Sequence, residues 1–293
     1  RIDRHSVAPT TSDVRLRHRV NAARFFRTPK GLLILAFAVL LTAAAAGTGV
    51  VLVMPGVVAA VATAMLIDAP LIRWRRGRWH VPDGALLSGL IVAMILSPHQ
   101  PWYVAAATSA VAVLSKYPLR VRTANIFNPA ALALVASFFV FHTGQSWWGA
   151  LPELSPLALS LLIGTGAFIT HRVNKVPVVL AFLGSYYTLI TVAAFVGNPA
   201  HVAELYRAPD LHAALFFAFF MVTDPPTSPP RHRDQLIYGT IVGVTSYAMY
   251  TLVGAVYFLL AGLLVANVWE AWRRNATARR RPHASGAMMP IVR

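Results

Sequence analysis

The sequence contains no cysteine and little charge. The missing cysteine excludes disulfides, thiolate zinc sites, cysteine-attached haem and cysteine-ligated iron–sulfur clusters. Charged residues make up only 12% of the 293, while 57% are apolar. A soluble domain is about a quarter charged, so this composition is too poor in charge to clothe a water-exposed surface. Acids are scarcest, with 10 Asp and Glu against 26 Lys and Arg and a formal net charge of +16. Such an excess marks either a nucleic-acid binder or the cytoplasmic side of a membrane protein, and the placement of the charges decides which.

Ten apolar segments follow one another: 31–46, 49–72, 84–97, 102–115, 127–142, 156–172, 176–196, 210–223, 235–252 and 254–272. A bilayer core about 30 Å thick takes about 20 residues of helix, so several of these are short. The stretch 31–72 has no Lys or Arg and is too long for one span; Gly47, Gly49 and Pro55 place a break near residue 48. With the basic N-terminus set in the cytoplasm and the spans alternating, only Arg207 among the 26 Lys and Arg falls outside. Topology thus accounts for the basic charge, anionic lipid is its natural counterpart, and no nucleic-acid-reading motif accompanies it. The first apolar run starts after thirty polar, basic residues, so no secretory leader is expected, and residues 1–20 and 275–293 read as poorly ordered tails.

Residues 82–98, PDGALLSGLIVAMILSP, align without gaps on 209–225, PDLHAALFFAFFMVTDP: Pro82 meets Pro209, Asp83 Asp210, Met94 Met221 and Pro98 Pro225. The following spans, 104–117 and 237–250, also correspond. The copies are the third and eighth spans, an odd number apart, so the two halves are inverted, as in many transporter folds. The expected fold is therefore all-α and polytopic, with about ten transmembrane helices in two inverted five-helix repeats containing short or broken helices. The expected division is a basic cytoplasmic tail 1–30, a first repeat 31–145, a second repeat 146–272 and a basic cytoplasmic tail 273–293. If the two short segments are half-helices, their C-terminal ends face each other, and their free carbonyls favour cations or hydrogen-bond donors. The alternative is two ordinary tilted spans.

Candidate site residues sit at these breaks. Asn128 is a good N-cap and Pro129 suits the first helical turn; together they mark either a plain helix start or an N-terminus that meets an electron-rich ligand. Thr223 and Asp224 lie where the eighth segment ends, and the run DPPTSPP at 224–230, which includes Thr227 and Ser228, cannot be helical. Asp224 is either a functional intramembrane acid or an interfacial residue capping its own turn. Asp68, with Arg73 as its expected pairing partner, and Glu270, followed by Arg273 and Arg274, read as interfacial, and Trp147 and Trp148 as part of an interfacial belt. Gly164-Thr165-Gly166 reads as close helix packing. The ten histidines form no metal constellation, and no nucleophile elbow or phosphate loop occurs, so neither a metal site nor a catalytic residue is expected.

NIFNPAALAL at 125–134, AFFMVTDPPTSP at 218–229 and GALLSGLIVAMILSP at 84–98 resemble one membrane family. It comprises the NqrB component of the sodium-pumping NADH:quinone reductase and the RnfD component of the Rnf electron-transport complex. The resemblance spans about residues 30–270 and implies ten helices in two inverted halves, similar to urea transporters. It also implies a place in a flavin-dependent electron path that can be coupled to ion movement, acting only with partner membrane or redox subunits in the bacterial cytoplasmic membrane. Similar family members are encoded with secondary-metabolite pathways. Such subunits typically carry a Ser-Gly-Ala-Thr motif whose threonine holds FMN through a phosphoester; the corresponding loop here, HTGQSWWGALPELSP at 142–156, offers only Thr143 in other surroundings. Covalent FMN is accordingly not expected. Three functions remain open: a redox subunit with a non-covalent flavin (FMN or riboflavin) or quinone lined by Asn128 and Thr223 to Ser228; an inverted-repeat permease or channel for a small polar or cationic solute; and an assembly protein without a ligand.

Overall fold

The computed structural model describes residues 25–121, 124–152, 156–196, 206–207 and 210–279. Of the expected tails, residues 1–24 and 280–293 lie outside the described residues, as does Pro209 of the repeat, whereas residues 275–279, read as poorly ordered tail, continue the last helix to Arg279. Among the described residues the chain is a bundle of ten helices. They are α1 (Pro29–Thr48), α2 (Val50–Arg76), α3 (Asp83–Ile95), α4 (Trp102–Ser115), α5 (Pro129–Phe141), α6 (Pro156–Arg172), α7 (Val176–Val196), α8 (Asp210–Phe216), α9 (His232–Ala248) and α10 (Phe258–Arg279). A short helical turn, Trp148–Ala150, lies in the connection between α5 and α6. Four helical stretches are long and apolar enough to cross a bilayer: Pro29–Thr48, Val50–Arg76, Val176–Val196 and His232–Val253. The exposed surface is itself apolar, with Val51 90%, Phe195 86% and Leu252 83% accessible. This inverts the surface of a soluble protein and suits contact with lipid. The protein is an all-α polytopic membrane protein.

Local chemistry sets the helix ends. Thr28 caps α1, accepting from the Gly31 N–H with Pro29 in the first turn. The expected break falls at Gly49, whose φ of 106° only glycine adopts readily. Pro55 lies inside α2 instead. The α8 helix widens into a π-turn at Phe217–Met221 before the chain leaves helical geometry, and α9 does the same at Met249–Val253.

The packing pairs equivalent elements. Helix α2 lies along α4 as α7 lies along α9; α4 meets α5 as α9 meets α10; α1 touches α6, and α5 touches α10. Small residues allow the close approach in the second half. A Cβ on Gly239 would sit 2.5 Å from the Val178 carbonyl oxygen, and one on Gly243 would strike the Ser185 hydroxyl. Gly166 packs directly under Phe219, in line with close helix contact, whereas Gly164 faces open space. An aromatic cluster of Phe37, Phe216, Phe217, Phe220, Phe182 and Tyr186 joins α1, α7 and α8.

Three expectations are corrected. The C-terminal ends of the two short segments do not face each other. The end of α3 is held by the loop after α5: Ser146 and Trp147 N–H groups donate to the Ile95 carbonyl, and Ser97 N–H to Gly144. That loop in turn accepts the start of α8, where His212 Nδ1 lies 2.9 Å from the Ala150 oxygen. The end of α8, at Asp224, shares a cavity instead with Gly84 at the start of α3. The segments run past each other, and each end is met by the other's beginning. Trp147 and Trp148 form no interfacial belt; they are 8% and 3% exposed, and Trp148 Nε1 donates to Ala93 O at 2.7 Å. Asp68 pairs not with Arg73 but with the Tyr117 hydroxyl, which donates to it at 2.7 Å.

Candidate functional site

Asn128, at the start of α5, is 2% exposed. Its side-chain oxygen accepts the Ala131 N–H at 3.1 Å, which closes the cap. Its own N–H donates to Asn267 Oδ1 of α10 at 2.8 Å, and Asn267 donates onward to the Tyr238 hydroxyl of α9. The first half thus begins its last helix on a polar relay supplied by the second half.

The break after α8 is organised around Asp224. Thr227 donates its hydroxyl to Asp224 Oδ2 at 2.9 Å, and the Thr227 and Ser228 N–H groups and the Ser228 hydroxyl donate to the Asp224 carbonyl. Thr223 returns its hydroxyl to Phe219 O. Prolines deprive this loop of N–H donors, so its carbonyls need outside partners. Lys175, between α6 and α7 and 5% exposed, donates to Pro229 O at 2.6 Å and Ser228 O at 3.3 Å. Arg274 donates to Pro226 O and Ser228 O, while Glu270, 1% exposed, holds Arg273 and Arg274.

Burial drives the local electrostatics. It pushes the Asp224 carboxyl above the usual carboxylate range, against the Thr227 hydrogen bond and the attraction of Lys116 and Lys175. It also lowers Lys175 to about 8, against the pull of Asp224 and Glu270. Lys116 is lowered too, by desolvation. Its ammonium donates to Gly84 O at 2.9 Å.

These elements enclose a cavity of about 500 Å³. Leu33, Leu87, Ile91, Ile169, Val173 and Phe220 form apolar wall, and Lys30, Lys116, Asn125, Asn128, Thr223 and Asp224 supply polar groups. Asn128, Pro129, Thr223 and Asp224, separated by about a hundred residues in sequence, therefore line one space. Thr227 and Ser228 stand behind it and fix Asp224. Sequence reasoning missed Lys116 and Lys175, which it counted only as topology-setting charges, and Asn267 and Lys30. No local signal marked Lys175, because its burial and its proline-rich partner loop come together only on folding. Among the described residues, no group of three or more His, Asp or Glu could hold a metal ion. Thr143 is 1% exposed, with its hydroxyl 3.0 Å from that of Ser137.

The chain matches the family model described as NQR2, RnfD, RnfE family over residues 18–154 and 146–280. It is similar to the D component of the ion-translocating oxidoreductase complex of Haemophilus influenzae (strain ATCC 51907 / DSM 11121 / KW20 / Rd), 30% identical over 35% of this chain and 26% of that protein. The match thus spans about a quarter of that relative's length. The like-named proteins of Aliivibrio salmonicida (strain LFI1238) and Rhodobacter capsulatus are 20% and 23% identical. These cover 72% and 57% of this chain, and 82% and 65% of the respective relatives.

Proposed function

The chain belongs to the NQR2, RnfD, RnfE family, and we propose that it is an integral membrane subunit of an electron-transport system, holding a non-covalent flavin (FMN or riboflavin) or a quinone in the cavity between its halves. The observation that carries this reading is the shared cavity lined by Asn128, Pro129, Thr223 and Asp224. Its volume falls within the range of about 300–1,000 Å³ usual for small-molecule sites. The donor set suits a flat, partly apolar ring: aliphatic walls and Phe220 flank it, while amides, a hydroxyl, ammonium groups and a carboxyl offer hydrogen bonds to a polar edge. Such a cofactor, when bound, supplies reversible electron chemistry. The chain supplies position and charge. Asn128 fixes the start of α5, Lys116 offers a cation, and Asp224 presents a carboxyl whose affinity for a proton is raised by burial. Non-covalent binding is favoured because the Thr143 hydroxyl points to Ser137 rather than outward. Electron donor and acceptor come from partner subunits, as the names of the relatives suggest, and any ion movement belongs to that assembly. The basic excess supports the bacterial cytoplasmic membrane with both termini cytoplasmic.

The test is an optical spectrum of gently solubilised protein with mass analysis of the extracted cofactor. Flavin or quinone at near-stoichiometric yield, reduced in Asn128→Ala and Asp224→Ala, is the expected result; clean protein with neither overturns the reading. One observation favours a second reading, a permease for a small polar or cationic solute: Asp224 presents a carboxyl to the cavity. Uptake into proteoliposomes that disappears in Asp224→Ala would establish it.

A further inference from the structure

The end of α2 is built differently from the rest of the bundle surface. Helix α2 has 27 residues, roughly 40 Å at about 1.5 Å per residue, against a bilayer core of about 30 Å. Its apolar run stops at Ile72, and the residues beyond it are Arg73, Trp74, Arg75 and Arg76, followed by Gly77, Arg78, Trp79 and His80. All eight are exposed. Gly77 adopts the left-handed conformation and its N–H bonds to Arg73 O, so the chain folds back over the last turn. This reversal lays Trp79 beside Arg73, whose guanidinium sits 4.8 Å from the indole centroid. Arg75 lies 5.2 Å over the Tyr117 ring.

None of these four arginines has an ion-pair partner among the described residues, although acids elsewhere are paired. Asp83 takes Lys30, Glu270 takes Arg273 and Arg274, and Asp234 takes Arg273. Asp68, one turn back on α2, is occupied by Tyr117. Aromatic rings hold two of the guanidiniums without neutralising them, leaving their N–H forks free for phosphate oxygens. Trp74 is 83% exposed and Trp79 63%. Two bare indoles beside free arginines would be poor in water, but they match the headgroup layer, where amphipathic rings settle.

We propose that residues 73–80 form a binding site for anionic phospholipid headgroups at the membrane surface where α2 ends. The arginines grip the phosphates and the two tryptophans seat the segment in the interface. An acidic protein partner would match the charge, but an acidic surface gives no reason for the indoles to be continuous with the lipid-facing side chains of α2, such as Val58 and Leu66, 55% and 74% exposed. The inference rests on the geometry of this end and not on the contents of the cavity.

Native mass spectrometry of the full chain in a mild non-ionic detergent tests it, with phosphatidylglycerol and phosphatidylcholine offered at equal concentration. The expected result is about a tenfold preference for phosphatidylglycerol, as juxtamembrane arginine clusters confer. The combined variant Arg73→Gln, Arg75→Gln, Arg76→Gln, Arg78→Gln brings the two lipids to parity, while Arg231→Gln with Arg233→Gln keeps the preference. In vesicles, brominated phosphatidylglycerol quenches the native fluorescence more than that of Trp74→Phe with Trp79→Phe, a measurement that does not depend on the four-site variant. Parity in the native protein, equal quenching in both proteins, or a preference that survives the four-site change overturns the proposal. Retained lipid preference with loss of co-purifying subunits assigns the patch to a protein surface and overturns it too.

Discussion

Asn128 does two jobs with one residue: its side chain closes the first turn of α5 while its backbone binds Asn267 across the interface between halves. Replacing it with Ala leaves the Ala131 N–H unpaired in a buried place. The expected loss is about 0.5–2 kcal/mol, read as a lower unfolding temperature in detergent, with Asn128→Asp restoring most of it. The cap was legible because Asn followed by Pro is helix-start chemistry at any depth, and Asp224 was legible because an acid beside an apolar run is rare. Lys175 and Asn267 were not legible, since their partners lie 54 and 139 residues away in the chain. Lys175 carries its own prediction. Its folded pKa of about 8 lies below the usual 10.5, so between these values the folded protein holds fewer protons than the unfolded chain. Stability contributed by this group therefore rises with pH across that window. The unfolding-temperature difference between native protein and Lys175→Met should climb from pH 8 to 10; a flat difference would show that the lysine titrates normally.

At the scale of elements, the ten helices agree with the ten apolar runs because lipid demands uninterrupted hydrogen-bonded backbone, and that demand is written in composition. The misses share a cause. The antiparallel pair Arg120–Val121 with Ala124–Asn125, two residues per strand, leaves no periodicity to detect. The π-turns at Phe217–Met221 and Met249–Val253 are a change of backbone register inside apolar runs that look like ordinary helix. The meeting of each short segment's end with the other's start depends on the loop at 142–151, whose contacts with α3 no local pattern announces. Helix contacts are more exacting. Gly239 and Gly243 are spaced four apart and both face α7. Gly239→Ala and Gly243→Ala should each cost about 1–3 kcal/mol by forcing α7 and α9 apart, and the double variant should deviate from the sum because the sites share a neighbour. Gly184→Ala, where a Cβ meets nothing within 4 Å, is the internal control and should be neutral or slightly stabilising. Thermal unfolding of the native protein and the four variants in one detergent decides it.

Over the whole molecule, charge is sorted along one axis. Lys30 pairs with Asp83, Lys116 reaches Gly84, Arg75 covers Tyr117, Lys175 and Arg274 hold the loop at Pro226–Pro229, and Arg273 binds Asp234. The two groups of contacts meet at the cavity, which Lys30, Gly84, Lys116 and Pro226 all line, so the start of α1 and the end of α10 stand at the same end of the bundle as the described basic connections. Arg207 belongs to the other end, next to Tyr206, whose hydroxyl meets Tyr187 and Thr191 in the later part of α7. In the orientation proposed above, with Lys and Arg retained on the inner side of the membrane, the cavity and the α2 end would open towards the cytoplasm. The cysteine-free sequence makes the orientation measurable without background. Arg231→Cys places a thiol on the exposed basic end, and Val253→Cys, at a position 62% exposed, places one at the opposite end of α9. In intact cells an impermeant maleimide should label Val253→Cys and leave Arg231→Cys untouched until the membrane is opened. The reverse pattern would put the basic end outside, and equal labelling of both would mean that α9 does not cross the bilayer.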